Sequence, residues 1–195
     1  MLPDLFVFDL DDTVWAGDVD IFFKPPFGLD LKRKQQVDGL PLYPRLKDSR
    51  QSPFECFPDS LSIIQWIGEQ GVDVAFASRT TTPKDAQQAL TQLLVPRRGA
   101  SHLTGDDVLD PRVDNRYVDL ASLSVYSAWG DVDKKRHLKE IEDATGVEFK
   151  NMLFFDNEKR NITSAKRLGV PCCWCRDGLS WAVFKEAIRQ SFSSD

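Results

Sequence analysis

The chain has only four cysteines and two histidines among its 195 residues. Three of the cysteines, Cys172, Cys173 and Cys175, fall in one short segment, so they cannot supply a disulfide framework by themselves. Cys172 and Cys173 would face opposite sides of a strand, and no second cysteine pair completes a tetrahedral zinc site. We therefore interpret them as structural thiols in a reducing compartment, and expect an intracellular, cytoplasmic protein.

Long hydrophobic runs and an excess of positive charge are also missing. No apolar stretch approaches the roughly 20 residues of a bilayer-spanning helix, and no secretory signal is expected from the N-terminal "MLPDLFVFDLDD". A net charge of −5 argues against binding to nucleic acid or to an anionic membrane. The length and a 42% hydrophobic content predict a single globular domain over residues 1–195, and we expect a monomer.

Apolar segments of strand length alternate with amphipathic helical patterns along most of the chain. Continuous apolar runs such as "DLFVF" are typical of parallel strands that are buried on both faces. The alternation predicts an α/β fold, a doubly wound parallel sheet of about five strands with minimal or no cap domain. The predicted strands are 4–8, 72–78, 118–126, 151–156 and 170–176.

One segment, residues 16–57, breaks every periodic pattern because prolines and glycines recur along it. We interpret it as an irregular insertion with at most a short hairpin around "QQVDGLPLY". Such an insertion is too short for a large cap domain, and the edge of the sheet would stay open to bulky ligands.

Polar side chains follow three of the predicted strands at the point where each strand ends. These are Asp9, Ser78 and Asp156, and the ligands of an open parallel sheet bind beyond that edge. Carboxylates from different chain segments suit Mg²⁺, and a nearby hydroxyl and lysine suit a phosphate group. The lysine pair Lys134 and Lys135 opens a predicted helix that could reach the same edge.

These residues resemble the four motifs of the haloacid dehalogenase (HAD) superfamily. "DLDDT" at 9–13 resembles its first motif, "FASRT" its second, Lys134 its third and "FFDNEKRN" its fourth. The segments "FDLDDTVW", "ASRT", "WGDVDKKRHL", "LFFDNEKRNI" and "RDGLSW" are more closely similar to the magnesium-dependent phosphatase-1 family. Four motifs in the expected order, each on the expected element, are far more specific than any one of them.

The resemblance implies a role for each matched residue. Asp9 would be the nucleophile that forms an aspartyl-phosphate, and Asp11 would act as general acid and then general base. Asp9, Asp156 and the backbone carbonyl of Asp11 would hold Mg²⁺. Ser78 would bind a phosphoryl oxygen, and Lys134 would pair with Asp9 and the phosphate.

Several further residues enter as weaker expectations. Arg79 could touch the substrate, and Trp15 is close enough to Asp11 to line a substrate entrance. Asn157 stands where relatives often carry a second acid, and it could still hold a metal-bound water. Asn161 could support the metal loop from behind.

Two functions remain open from the sequence. The first is a Mg²⁺-dependent phosphomonoesterase, for which the resemblance implies phosphotyrosine or phosphorylated sugar and amine substrates, carried on a small molecule or a phosphoprotein. The alternative is a catalytically weak or inactive scaffold that binds a phosphorylated ligand or a protein partner, which Asn157 and the unfamiliar segments 28–56 and 84–125 motivate. Without the other motifs, the acids at 9–12 would be ordinary turn or capping residues.

Overall fold

The computed structural model describes residues 1–35, 43–97 and 117–192. Within these ranges, no helix is long and apolar enough to cross a membrane. The strands are β1 (Leu5–Phe8), β2 (Gly28–Gln35), β3 (Tyr43–Lys47), β4 (Pro53–Phe54), β5 (Asp73–Ser78), β6 (Leu94–Pro96), β7 (Tyr117–Asp119), β8 (Ser124–Trp129), β9 (Met152–Asp156) and β10 (Cys172–Trp174). The helices are α1 (Val19–Phe22), α2 (Ser60–Gln70), α3 (Pro83–Gln92), α4 (Leu120–Leu123), α5 (Lys134–Thr145), α6 (Lys159–Lys166) and α7 (Trp181–Phe192).

The central sheet has five parallel strands in the order β10–β9–β1–β5–β8, which confirms the predicted α/β architecture. Strand β1 lies in the middle, and all four of its side chains are buried. Its residues alternate between the two faces of the sheet, because successive side chains of a strand point in opposite directions. The sheet therefore needs a hydrophobic layer on each face.

Helices supply both layers. On one face, the Phe184 ring of α7 packs 5.2 Å from Phe6 and 5.6 Å from Phe155, measured between ring centroids. On the other face, Leu138 of α5 and Ala165 of α6 belong to the cluster that contains the β1 residues Leu5 and Val7. Covering both faces leaves only the ends of the strands free to carry a site.

The expectation that residues 16–57 are irregular is wrong. The segment contains the short helix α1 and a three-stranded antiparallel sheet in the order β2–β3–β4. Strand β2 is rich in polar residues, so its sequence alone predicts coil. Only its pairing with β3 shows that it is a strand. Strand β2 pairs antiparallel with β3, with Gln35 opposite Tyr43. Residues 36–42, on which the hairpin expected around "QQVDGLPLY" falls, lie outside the described residues.

The predicted strand at 118–126 is also displaced. The structure has the short strand β7, one turn of helix α4, and then the edge strand β8, which runs on to Trp129. Strand β8 pairs with β5 on one side only, so its side chains are less buried than those of β1. That partial exposure weakens the apolar pattern on which the prediction depended.

The cysteines lie as the strand pattern predicts. Cys172 packs against the α5–α6 side of the sheet, whereas Cys173 and Cys175 pack against the opposite side. All four cysteines of the chain are free thiols, and Cys56 and Cys175 are buried.

Asp48 anchors the small antiparallel sheet. Its buried carboxylate accepts hydrogen bonds from the backbone N–H groups of Lys24, Arg50 and Ser52 at 2.9–3.1 Å. The Arg50 guanidinium also donates to it, with Nε 3.0 Å from Oδ2. Burial raises the pKa of Asp48, but the bonds from Ser52, Lys24 and Arg50 outweigh burial and lower the pKa overall.

We expect Asp48→Ala to lower the free energy of unfolding by about 2 kcal/mol near neutral pH, because three backbone N–H groups lose their acceptor. The folded-state pKa is lowered, so this stabilisation is present above the unfolded pKa of about 3.9 and is lost as pH falls through the lower folded value. Urea unfolding at two pH values measures both effects. Glu55→Gln removes an acid from an exposed ion pair with Arg45 and is the control. Equal losses in the two variants would contradict the anchoring role.

Candidate active site

Asp9 and Asp156 stand side by side at the carboxyl edge of the sheet. Asp9 follows β1 directly, Asp156 ends β9, and the Asp9 N–H donates to the Phe155 carbonyl at 2.9 Å. Both side chains are buried, Asp9 with 6% of its surface exposed and Asp156 with none. The expected convergence of these two acids on one edge is therefore present.

Lys134 lies between the two acids. Its Nζ is 2.5 Å from Asp9 Oδ1 and 3.4 Å from Asp156 Oδ2, and it also donates to the Ala77 carbonyl at the end of β5. The side chain is fully buried, because α5 begins at this residue and directs it toward the sheet. One lysine thus faces two buried carboxylates.

The charge balance of this trio still favours a further cation. Burial raises the pKa of Asp9 despite Lys134 and Thr13. Burial and the charge of Asp9 raise the pKa of Asp156 to about 7. The charge of Lys134 and the hydrogen bonds from the Glu158 backbone N–H and the Asn161 side chain lower the pKa but do not offset this rise. Two carboxylates that destabilise each other's charged form gain most from a divalent ion between them.

Each acid is held by further hydrogen bonds. Thr13 is fully buried, and its hydroxyl lies 3.2 Å from Asp9 Oδ2 and accepts the Asn157 N–H at 3.1 Å. Asn161 Nδ2 lies 3.0 Å from both carboxylate oxygens of Asp156. Asn161 therefore supports Asp156 as expected. Thr13, the threonine of "DLDDT", links the segment after β1 to the segment after β9.

Asp11 occupies a separate position beside the cavity. Its Oδ1 accepts the indole N–H of Trp15 at 2.7 Å and the backbone N–H of Val19 at 2.9 Å. Burial, together with the charges of Asp9 and Asp18, raises the pKa of Asp11 to about 7. The hydrogen bonds from Trp15 and Val19 oppose this rise but do not cancel it. A carboxyl group with a pKa near 7 can both give and take a proton at neutral pH.

The expectation that Trp15 lines a substrate entrance is corrected by its burial. Its side chain has no exposed surface and packs against Phe54, with ring centroids 5.1 Å apart. The indole is held inside because its N–H has an acceptor there, the Asp11 carboxylate. Trp15 therefore orients Asp11 and does not meet the substrate directly.

The last residue of β5 and the loop after it lie at different depths. Ser78 is fully buried, and its Oγ accepts the Thr80 N–H at 3.2 Å. The residues of this loop that line the cavity are Arg79, Thr80 and Thr81. Direct contact of Ser78 with a phosphate stays a prediction, whereas Arg79 faces the space where a ligand would lie.

A cavity of about 360 Å³ opens above these residues. Its two arginines already have acidic partners: Arg79 pairs with Asp131 at 2.5 Å, and Arg160 makes two bonds to Glu158 at 2.6 and 2.8 Å. The cavity is lined by Asp9, Asp11, Asp12, Asp18, Asp20, Ile21, Arg79, Thr80, Thr81, Asp131, Asn157, Glu158, Arg160 and Asn161. Acids outnumber bases in this lining, which suits a site that takes up a cation together with an anionic group.

The oxygen atoms present fit a magnesium ion. The residues that would hold it are Asp9, Asp156 and the Asp11 backbone carbonyl, and hard oxygen ligands from few side chains are what Mg²⁺ prefers. No three His, Cys, Asp or Glu side chains in the described ranges are grouped as metal ligands.

Comparisons with known proteins bear on this geometry. The family model described as Acid Phosphatase matches residues 1–194, nearly the whole chain. The chain belongs to the acid phosphatase family. A HAD-like hydrolase superfamily protein of Schizosaccharomyces pombe is 32% identical over 86% of this chain and 83% of its own length. The human protein named magnesium-dependent phosphatase 1 is 27% identical, and the match covers 96% of this chain and 86% of the human one.

A solved structure supports the same fold. A predicted HAD-like family hydrolase from Porphyromonas gingivalis has a TM-score of 0.54 to this chain at 15% identity, and the match covers 100% of both chains. Likeness at this identity concerns the fold alone. The family model and the S. pombe relative together confirm the resemblance to HAD phosphatases that the four motifs predicted.

Some residues of this acid phosphatase site were not found from the sequence. Glu158 joins Arg79 and Arg160, and Asp131 holds Arg79 from the other side. Asp20 accepts two hydrogen bonds from Thr81, which is 61 positions away in the chain. No local pattern signals the pairs of Asp20 with Thr81 and of Arg79 with Asp131, because only the fold brings them together.

Proposed function

We propose that this acid phosphatase family member is a magnesium-dependent phosphomonoesterase that works through an aspartyl-phosphate on Asp9. Its substrates would be phosphotyrosine or phosphorylated sugars and amines, carried on a small molecule or a phosphoprotein. The observation that carries the proposal is the arrangement around the cavity: Asp9 paired with Lys134, and Asp11 beside it with a pKa of about 7. The name of the human relative supports the dependence on magnesium.

The chemistry follows from the positions of these side chains. A carboxylate oxygen of Asp9 attacks phosphorus, the bond from phosphorus to the ester oxygen breaks, and Asp11 gives its proton to that oxygen. Water then attacks the phosphorus of the acyl phosphate while Asp11 takes a proton back, and the bond to Asp9 breaks to release inorganic phosphate. Asp11 must change protonation state twice per turnover, which a pKa of about 7 favours.

Lys134 and Trp15 prepare the two acids for these steps. Lys134 stabilises the ionised form of Asp9, which is the nucleophilic form. Trp15 and Val19 fix the Asp11 carboxylate through the same oxygen, Oδ1. A bound magnesium ion would supply positive charge to the phosphoryl oxygens in the transition state.

We expect hydrolysis of p-nitrophenyl phosphate to fall by about 100-fold or more when magnesium is removed with a chelator, and to return when Mg²⁺ is added. Ca²⁺ should restore less, because its larger and more flexible coordination suits this compact ligand set poorly. A rate that is independent of magnesium would contradict the metal assignment.

The same assay separates the enzyme from the scaffold. A wild-type protein that binds orthovanadate with Mg²⁺ but hydrolyses no ester in a panel of phosphotyrosine, phosphorylated sugars and phosphorylated amines would overturn the enzymatic proposal. Asn157, which motivates the scaffold, lines the cavity, and its backbone is held at both ends by Thr13 and Trp174. Its position in the lining supports the expectation that the side-chain amide could hold a metal-bound water.

A further inference from the structure

One contact joins the insertion to the loop after β5 across the mouth of the cavity. Asp20, on α1, accepts two hydrogen bonds at Oδ2 from Thr81: one from the backbone N–H at 3.0 Å and one from the hydroxyl at 2.6 Å. Both residues line the cavity, and neither belongs to the acids and lysine of the reaction. Burial raises the pKa of Asp20, but the two bonds from Thr81 outweigh it and lower the pKa overall.

The helix that carries Asp20 is fixed at three places. At its start, the Val19 N–H donates to the Asp11 carboxylate. At its end, the Arg50 guanidinium donates to the Phe22 carbonyl at 2.5 Å, and Arg50 is itself bound to Asp48. The bond from Asp20 to Thr81 ties α1 to the loop after β5.

The same helix presents an apolar side chain to the cavity. Ile21 follows Asp20 directly, lines the cavity and has 69% of its surface exposed. Covering this side chain with an apolar part of a ligand would be favourable. A leaving group that extends out of the cavity past Asp11 would meet Ile21.

We propose that Asp20 is a positioning residue whose two hydrogen bonds from Thr81 hold α1 against the loop after β5, so that Ile21 is fixed where it contacts the leaving group of the substrate. Asp20 and Thr81 thereby determine how well a bulky ester fits the cavity, while the positions of the reacting groups do not change. The inference rests on the proposed phosphomonoesterase activity and adds to it the element that recognises the leaving group.

The proposal predicts a split between the kinetic constants. In Asp20→Ala, KM for p-nitrophenyl phosphate should rise by about tenfold, roughly the effect of losing one or two bonds to a charged acceptor, and kcat should change much less. For a small ester such as phosphoethanolamine, which does not reach Ile21, KM should change by less than about twofold. Ile21→Ala should reproduce the split with both partners of the bond intact.

Matched variants distinguish loss of the bonds between Asp20 and Thr81 from loss of the Asp20 charge and from general damage to the fold. Asp18→Ala removes an acid from the same lining, where the Asp18 side chain makes no hydrogen bond to a described residue, so it should shift KM for the aryl ester much less. Thr81→Ser keeps the hydroxyl and should behave like wild type, whereas Thr81→Val keeps the shape, loses the hydroxyl bond but not the backbone one, and should show part of the KM rise of Asp20→Ala. The double variant Asp20→Ala with Thr81→Val should be no worse than the more damaging single one, because both remove one interaction.

Hydrogen exchange at the Thr81 amide gives a readout that does not need turnover. The exchange should be faster in Asp20→Ala than in wild type and unchanged in Asp18→Ala. An active wild type whose KM for the aryl ester is the same in Asp20→Ala, or equally raised in Asp18→Ala, would overturn the positioning role. A wild type that hydrolyses neither ester would contradict the proposed function instead, and unchanged exchange at Thr81 in Asp20→Ala would then overturn the bond itself.

Discussion

Asp9→Asn should lower kcat for phosphomonoesters by more than about 1,000-fold, the scale seen when a nucleophile is removed. The amide that replaces the carboxylate is a poor nucleophile, and it carries no charge for Lys134 to stabilise. The variant should also fail to trap beryllium fluoride in the presence of Mg²⁺, because that complex mimics a phosphorylated carboxylate. Steady-state kinetics and binding of beryllium fluoride to the two proteins are the measurements.

Asp12→Asn provides the matched control, since it makes the same chemical change three residues later. Asp12 adopts a left-handed backbone with φ of 52°, which asparagine tolerates well, and an amide oxygen can still accept the Gly17 N–H that Asp12 Oδ1 accepts at 2.7 Å. Most of the activity should therefore remain in Asp12→Asn. Activity in Asp9→Asn comparable with that of the control would remove Asp9 as nucleophile and with it the aspartyl-phosphate.

The sequence is sufficient to place the acids of the site, for a physical reason. A parallel strand covered on both faces must be apolar along its length, so the first polar residue marks the strand's end. Asp9 and Asp156 are found in this way, and neighbouring parallel strands bring them to one edge without knowledge of the loops. Ser78 is placed at the end of β5 by the same reasoning, and it is fully buried there.

The same reasoning fails where structure depends on distant partners. The strands of the small antiparallel sheet are polar enough to read as coil, and their pairing depends on contacts such as the buried Asp48, whose role no spacing reveals. Trp15 illustrates a related error. Its closeness to Asp11 in the sequence indicates a contact between the two side chains, but not that the indole lies inside the core. The bond from Asp20 to Thr81 links two segments that share no motif.

The assignment of Lys134, and not its neighbour Lys135, to the third motif leads to the second large expected effect. Lys134 is fully buried between two acids, whereas Lys135 is half-buried on the same turn and its Nζ makes no ion pair with a described residue. His137 is buried one turn later, and burial together with the charge of Lys134 lowers its pKa to about 4, so it stays neutral behind the lysine. Lys134 therefore supplies the positive charge at this point.

Lys134→Met keeps the length of the side chain and removes its charge, which leaves Asp9 and Asp156 buried without their shared cation. We expect the free energy of unfolding, measured without Mg²⁺, to fall by about 3 kcal/mol or more, as it does when one partner of a buried pair is removed. We also expect kcat to fall by about 100-fold or more, because the charge on Asp9 and on the phosphoryl group loses its stabilising partner. Lys135→Met should change both quantities little, and the opposite order would mean that the lysine facing the acids has been misassigned. If Lys134→Met loses stability but keeps its rate under conditions where it is fully folded, the lysine is structural and the attack by Asp9 does not depend on it.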